Sequence, residues 1–315
     1  MTTASALLPA AARIFVAGHR GLVGSAVARH LEADGHEVLV RTRDQLDLRD
    51  AARTEAYLRD IRPDAVVLAA AKVGGIMANQ RYPVPFLEDN LRIQLSVIAG
   101  SHAADVDRLL FLGSSCIYPK HAPQPIPEDS LLTGPLEPTN EPYALAKIAG
   151  ISQVRSYRRQ FGRRYIAAMP TNLYGPGDNF DPETSHVLPA LIRRFHEAKV
   201  EDRQEVVLWG SGTPRREFLH SSDLARACLM LLRGYDDQMP VNVGCGQDLT
   251  IAELAGTVRE AVGFRGRIGW DPSRPDGTPR KLLDVTRLEK LGFAPRIPLA
   301  DGIRDTYEWW LHTGA

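Results

Sequence analysis

Residues 13–24, RIFVAGHRGLVG, decide the fold. Arg13 to Ala17 is a short apolar run with β-branched and aromatic members, which reads as a buried strand. It runs straight into Gly18-His19-Arg20-Gly21-Leu22-Val23-Gly24. An amphipathic stretch from Val23 to Ala33 follows and ends near Gly35, which reads as a helix. Glycines let the backbone turn tightly and approach a pyrophosphate, and the helix start supplies free N–H groups and a positive dipole end. The spacing is GxxGxxG rather than GxGxxG. The weight therefore rests on the strand–turn–helix context. Gly18, Arg20, Gly21, Leu22, Val23 and Gly24 are the first candidate cofactor contacts.

Outward from this turn, the same texture repeats. Glu37–Arg41 reads as a second strand, Ala51–Ile61 as a helix stopped by Pro63, and Ala65–Ala69 as a third strand. A long helix is expected over roughly residues 85–104, a fourth strand at Arg108–Leu112, a helix at Tyr143–Phe161 and a fifth strand at Tyr165–Met169. Such alternation predicts an α/β fold, a Rossmann-type doubly wound parallel sheet with helices on both faces. After Pro170 the texture changes to loops rich in Gly, Pro and Asn. Thr250–Glu253 is a capping box opening a helix to about Val262. Asp271–Arg280 holds too many Pro and Gly residues for regular structure, and its length suits a binding loop. The expected plan is a dinucleotide-binding domain over 13–176 with a returning segment near 218–245. A smaller C-terminal substrate-binding lobe takes 177–217 and 246–315.

Composition excludes several classes. The 315 residues suffice for one sizeable core. Lys plus Arg and Asp plus Glu both number 38, so no global field draws nucleic acid or an anionic membrane. The three cysteines, Cys116, Cys228 and Cys245, are far apart, lack metal-ligand spacing and are odd in number. No metal site is expected, and a reducing, cytoplasmic setting fits. Met1–Ala12 reads as a frayed tail rather than a signal peptide. No apolar run approaches the roughly 20 residues that span a bilayer.

The second strand leads into Arg41-Thr42-Arg43, where an NAD enzyme would place an acidic residue on the ribose 2′-hydroxyl. Arginines suit a 2′-phosphate instead, so NADP(H) is the expected cofactor, with Arg20 a further candidate. Tyr143 and Lys147 stand four apart at a helix start, on one face. An ammonium near a phenol favours phenolate, so Lys147 is expected to lower the Tyr143 pKa. Tyr143 would then serve as proton donor or acceptor. Ser114 lies just past the fourth strand, at the edge where ligands of open α/β sheets bind.

A GxxGxxG turn, a serine after the fourth strand and YxxxK together resemble the extended short-chain dehydrogenase/reductases. Within them the chain is similar to the GDP-L-fucose synthase family. The segments that carry this likeness include LAAAKVGGI, LFLGSSCIYPK, LEPTNEPYALAKIAGI, MPTNLYGPGDNF, SHVLPALIRRFHEA, WGSGTPRREFLH and PDGTPRKLLDVTRL. The resemblance implies NADPH-dependent 3,5-epimerisation and 4-reduction of GDP-4-keto-6-deoxy-D-mannose. It implies Cys116 as base, His186 as acid, Ser114 and Tyr143 as donors to the substrate oxygen, and Lys147 on the nicotinamide ribose. It adds Asp47, Leu48, Leu112, Gly113, Ser115, Pro170, Thr171, Asn172, Leu173 and His186 to the cofactor site. It also assigns Val187, Leu191, Arg194, Trp209, Arg216 and Asp276 to the nucleotide sugar. Without it, Arg194 reads as surface and Trp209 as core. The same resemblance implies a homodimer that pairs the long helices near 85–104 and 143–161.

Two other readings stay open at this stage. One is another extended reductase acting on a different nucleotide sugar. A dehydratase would carry an Asp-Glu pair where Ser115 and Cys116 stand, and a 4-epimerase would retain NAD, which Arg41 and Arg43 do not favour. The other is a non-catalytic NADP(H) sensor, against which the presence of both Tyr143 and Lys147 counts.

Overall fold

The computed structural model describes residues 8–273 and 276–313. In chain order the elements are β1 (Arg13–Ala17), α1 (Leu22–Ala33), β2 (Glu37–Leu39), α2 (Ala51–Ile61), β3 (Ala65–Leu68), α3 (Ile76–Arg81) and α4 (Pro83–Ala103). Then come β4 (Arg108–Leu112), α5 (Glu141–Phe161), β5 (Arg164–Pro170), β6 (Asn172–Tyr174), α6 (Val187–Val200), β7 (Glu205–Trp209), β8 (Arg215–Arg216) and β9 (Phe218–His220). The chain closes with α7 (Ser221–Gly234), β10 (Val241–Val243), β11 (Leu249–Thr250), α8 (Ile251–Val262), β12 (Arg267–Asp271), β13 (Arg280–Lys281), α9 (Thr286–Lys290) and α10 (Leu299–Thr313).

The main sheet has six strands in the order β10-β5-β4-β3-β1-β2, all parallel. β1, β3, β4 and β5 are almost wholly buried and apolar, as strands covered on both faces must be. One apolar cluster packs α1 and α7 on one face, and a second packs residues of α2, α4 and α5 on the other. The Rossmann-type reading is thereby met. Strand order reverses between β1 and β3, which opens the ligand crevice at their carboxyl ends. A third cluster, built from α6, α8, α10, β7 and β12, lies in the C-terminal half.

Local differences from the sequence reading have physical reasons. β2 stops at Leu39, paired with Arg13, Ile14 and Phe15 of β1, which itself runs on to Ala17. Arg41 and Arg43 therefore sit on a loop. The long helix begins at Pro83, whose missing N–H costs nothing in a first turn, and a separate short helix precedes it. Leu8 and Ala12 are buried in the first cluster, so that part of the expected tail is core, while residues 1–7 lie outside the described residues. The 271–280 loop is irregular over Pro272, Ser273 and 276–279; Arg274 and Pro275 lie outside the described residues. Among the described residues, no helix is long and apolar enough to cross a membrane.

Candidate active site

Parallel strands bring all their carboxyl ends to one edge, and the glycine turn, Ser114, Cys116, Tyr143 and Lys147 lie at it. The glycine turn closes with Gly21 N–H donating to the Gly18 carbonyl at 3.1 Å. Gly18 takes φ +93°, and a Cβ there would stand 2.6 Å from the Ala70 amide nitrogen beyond β3. A Cβ on Gly24 would overlap the Gly18 carbonyl oxygen. Only bare backbone fits, which leaves the start of α1 open to a close-approaching phosphate. A dinucleotide fits this cradle. Around it, Leu48 and Val23 pack into the flanking clusters. Gly113 abuts the Met169 sulfur, and Pro170 ends β5. Thr171 N–H donates to the Val243 carbonyl at 3.0 Å, Asn172 Nδ2 donates to the Glu217 carbonyl at 2.8 Å, and Leu173 packs on the first cluster.

Beyond β2, Arg41 turns away from the strand line, and its guanidinium lies 4.7 Å over the Tyr57 ring. Arg43 is exposed, 3.9 Å from Asp47. Arg20 is exposed in the glycine turn. Asp47 is engaged by Arg49 at 2.6 Å, and that contact, seconded by Arg43, pushes its pKa down to about 2.

Ser114 opens a single 3₁₀ turn, Ser115–Ile117, and its hydroxyl accepts from the Cys116 amide at 3.2 Å. This turn puts Cys116 beside Ser114 at the strand end. Asn140 precedes α5, whose second residue is Pro142, and the helix face carries Tyr143 and Lys147 under the same edge. Lys147 Nζ is buried, donates to the Leu112 carbonyl at 2.8 Å and lies 5.8 Å from the Tyr143 ring centre. Burial pushes the Lys147 pKa down to about 7. Tyr143 departs from the expected direction. Burial raises its pKa, the neighbouring Cys116 adds to the rise, and the Ser114 hydroxyl pulls it down. Desolvation of the phenolate outweighs any help from Lys147, whose own charge is disfavoured by burial.

His186 is the residue from which α6 starts, and its side chain makes no capping bond. The residue is exposed, yet the protein packed around its ring lowers its pKa by desolvation. Among the described residues no hydrogen bond joins His186 to Ser114, Cys116 or Tyr143. Its loop is tied to the β3 exit by Gly75 N–H donating to the Thr184 carbonyl at 3.0 Å. Following along α6, Val187 is partly exposed and Leu191 is core. The Arg194 guanidinium stands 5.6 Å over the Trp209 ring, and Trp209 is 54% exposed rather than core. Arg216 is half-buried, its pKa lowered by burial, with Gly277 of the long loop closing on its guanidinium. Asp276, exposed, bonds the Ser211 turn.

Two residues escaped sequence reasoning. Lys281 Nζ donates to Cys116 Sγ at 3.5 Å. Glu217 is completely buried between Arg216 and Phe218. A carboxylate directly before the apolar Phe218-Leu219 pair needs donors around it if buried, and that was the available signal. All three cysteines are unpaired. Among the described residues no group of three or more His, Cys, Asp or Glu could hold a metal ion.

A family model described as the NAD dependent epimerase/dehydratase family matches residues 14–244. The chain belongs to that family. Within the family, it is 58% identical over 308 residues to GDP-L-fucose synthase 1 of Arabidopsis thaliana, covering 98% of this chain and 95% of that one. It is 54% identical over 309 residues to the GDP-L-fucose synthase of Escherichia coli K12, covering 95% and 96%. The crystal structure of a GDP-L-fucose synthetase from Naegleria fowleri bound to NADP matches with a TM-score of 0.91 at 28% identity, covering 99% of this chain and 98% of that one.

Proposed function

We propose that this protein is a GDP-L-fucose synthase, converting GDP-4-keto-6-deoxy-D-mannose to GDP-L-fucose with NADPH. The observation that carries the reading is Cys116 held by the Ser114 turn beside Tyr143, where a base for inversion and donors for a ketone oxygen are both required.

C3 and C5 of the substrate flank the ketone, so their protons are acidified through an enolate. Cys116 Sγ, as the thiolate, takes the proton, and His186, as the imidazolium, returns one to the opposite face. Ser114 and Tyr143 donate to the O4 oxygen while it carries enolate charge. The nicotinamide cofactor supplies hydride to C4 when bound. Tyr143 then gives its proton to O4, and Lys147 holds the nicotinamide ribose. Arg216 and Arg194 answer the diphosphate, and Trp209 offers a face for the base or sugar.

NADP(H) over NAD(H) is supported by Arg20 and Arg43, exposed near the adenosine end with no acidic residue at the end of β2. The division into 13–176 with 218–245, against 177–217 with 246–315, is supported by the third apolar cluster, most of whose residues fall in the second unit; Tyr174 and Phe218 join it from the first, and Leu283, Val285, Leu288 and Phe293 pack with the sheet. A homodimer through α4 and α5 is supported by Leu95 and Leu145, exposed on those helices. Three unpaired cysteines suit a cytoplasmic setting.

The test is NADPH oxidation with GDP-4-keto-6-deoxy-D-mannose, reading the product's C3 and C5 configuration by NMR. GDP-L-fucose is expected. GDP-D-rhamnose would mean reduction without inversion and would remove Cys116 and His186 from the chemistry. No oxidation would reject the substrate.

A further inference from the structure

Glu217 has no exposed surface. Its Oε1 accepts from the Cys245 amide at 2.6 Å and the Gly246 amide at 2.7 Å, and its Oε2 accepts from the Leu283 amide at 3.2 Å. Its own carbonyl accepts from Thr171 Oγ1 at 3.3 Å and Asn172 Nδ2 at 2.8 Å. One residue thus joins the exits of β5 and β10, at the sheet's carboxyl edge, to the chain just past β13. Gly244 completes the fit, because a Cβ there would overlap the Glu217 carboxylate.

The segments so joined carry the substrate-facing cations. Glu217 directly follows Arg216 of β8, and β8 pairs with β13 so that Arg216 stands opposite Lys281. Lys281 in turn reaches Cys116 Sγ. We propose that Glu217 is a positioning residue for the nucleotide-sugar site: its carboxylate fixes the Arg216–Lys281 strand pair against the sheet edge. It thereby sets Arg216 on the diphosphate and Lys281 on Cys116. This rests on the roles given above to Arg216 and Cys116.

A carboxylate suits the place because all three side-chain partners are N–H donors. A glutamine has one acceptor oxygen and would turn its NH₂ against at least one of those amides. Burying a charge to hold three amides is costly, and an apolar packing of similar volume would serve stability as well or better. The two acceptor oxygens provide directional placement of two strands that no apolar side chain would give.

The experiment uses the full-length enzyme with Glu217→Gln, Gly244→Ala and Arg216→Ala, each checked by thermal unfolding. For Glu217→Gln, the KM for the nucleotide sugar is expected to rise about tenfold while the NADPH KM moves less than about twofold, a loss on the order of one charged hydrogen bond. Gly244→Ala, which pushes on the same carboxylate from the β10 side, is expected to repeat that split, and it serves if the glutamine variant does not fold. A lowered melting temperature with both KM values unchanged in both variants would mean a structural role only and overturn the proposal. If Arg216→Ala raises the nucleotide-sugar KM but neither of the other variants does, Glu217 positioning fails while the site reading stands. If Arg216→Ala leaves that KM unchanged, the site reading fails and the proposal falls with it.

Discussion

Asp276 sets one carboxylate oxygen on the Ser211 amide at 2.9 Å and the other on the Ser211 hydroxyl at 2.7 Å. These two bonds hold its carboxyl below the usual carboxylate range. They also close the long 271–280 loop over the Gly210–Thr213 turn, which follows Trp209 and precedes Arg216. The residue thus fixes a wall of the site, whatever hydroxyl its remaining lone pairs accept. Replacing Asp276 by Ala is expected to raise the nucleotide-sugar KM by about three- to tenfold and leave the NADPH KM unchanged. Ser211→Ala removes the hydroxyl bond alone and should do less. The double variant should be no worse than Asp276→Ala, because both act through one contact. Additive losses in steady-state kinetics would show that Asp276 works independently of Ser211.

Arg43 gives the cofactor prediction. Its side chain is 72% exposed, and the acid it pairs with, Asp47, is already held by Arg49. The guanidinium is therefore available to a 2′-phosphate. Arg43→Ala is expected to raise the NADPH KM more than about tenfold while the NADH KM moves less than about twofold. Arg41, laid on Tyr57, should matter less. Equal changes for both cofactors would place the 2′-phosphate elsewhere.

Cys116 gives the inversion prediction. Cys116→Ser keeps a similar shape but replaces the proton-accepting sulfur by a weakly acidic hydroxyl. Incorporation of deuterium at C3 and C5 of the sugar in heavy water is expected to fall at least about a hundredfold, as for loss of a general base. Some ketone reduction should survive, since Tyr143 and Lys147 remain. Unchanged exchange would assign the base to another group.

The parts of this molecule legible in sequence are those fixed by neighbours in the chain. The glycine turn needs only its own spacing. The Thr250–Glu253 box closes as written, with Glu253 N–H donating to Thr250 Oγ1 at 3.0 Å and Thr250 N–H to Glu253 Oε2 at 2.7 Å. Tyr143 and Lys147 share a face because helices repeat. What pattern could not supply is contact across the chain. Lys281 meets Cys116 from 165 residues away. Glu217 finds its donors in Cys245, Gly246 and Leu283 only once β10 has joined the sheet. The end of β2 was misplaced because the apolar run continues to Val40 while the pairing with β1 ends at Leu39. The Tyr143 shift reversed because burial, which no spacing reveals, outweighs a lysine that is itself desolvated.

Lys147 makes that desolvation measurable. Its folded pKa of about 7 lies below its ordinary value of 10.5. Between those values the unfolded chain binds a proton that the folded protein does not, so this group makes stability rise with pH across the window. Below about pH 7 both states are protonated, and the ligand-free fold carries a buried ammonium at full cost. Lys147→Met removes that cost and also leaves the Leu112 carbonyl without its donor, a loss that does not depend on pH. The variant is therefore expected to gain melting temperature relative to wild type at pH 6, and to lose part of that advantage by pH 9. A swing of at least about 3 °C between the two pH values is expected for a chain of this size. Ketone reduction should be lost at both, since the contact proposed between Lys147 and the nicotinamide ribose would be gone. Thermal unfolding of both ligand-free proteins at the two pH values gives the answer, and a gap that stays flat would show that Lys147 keeps an ordinary charge in the pocket.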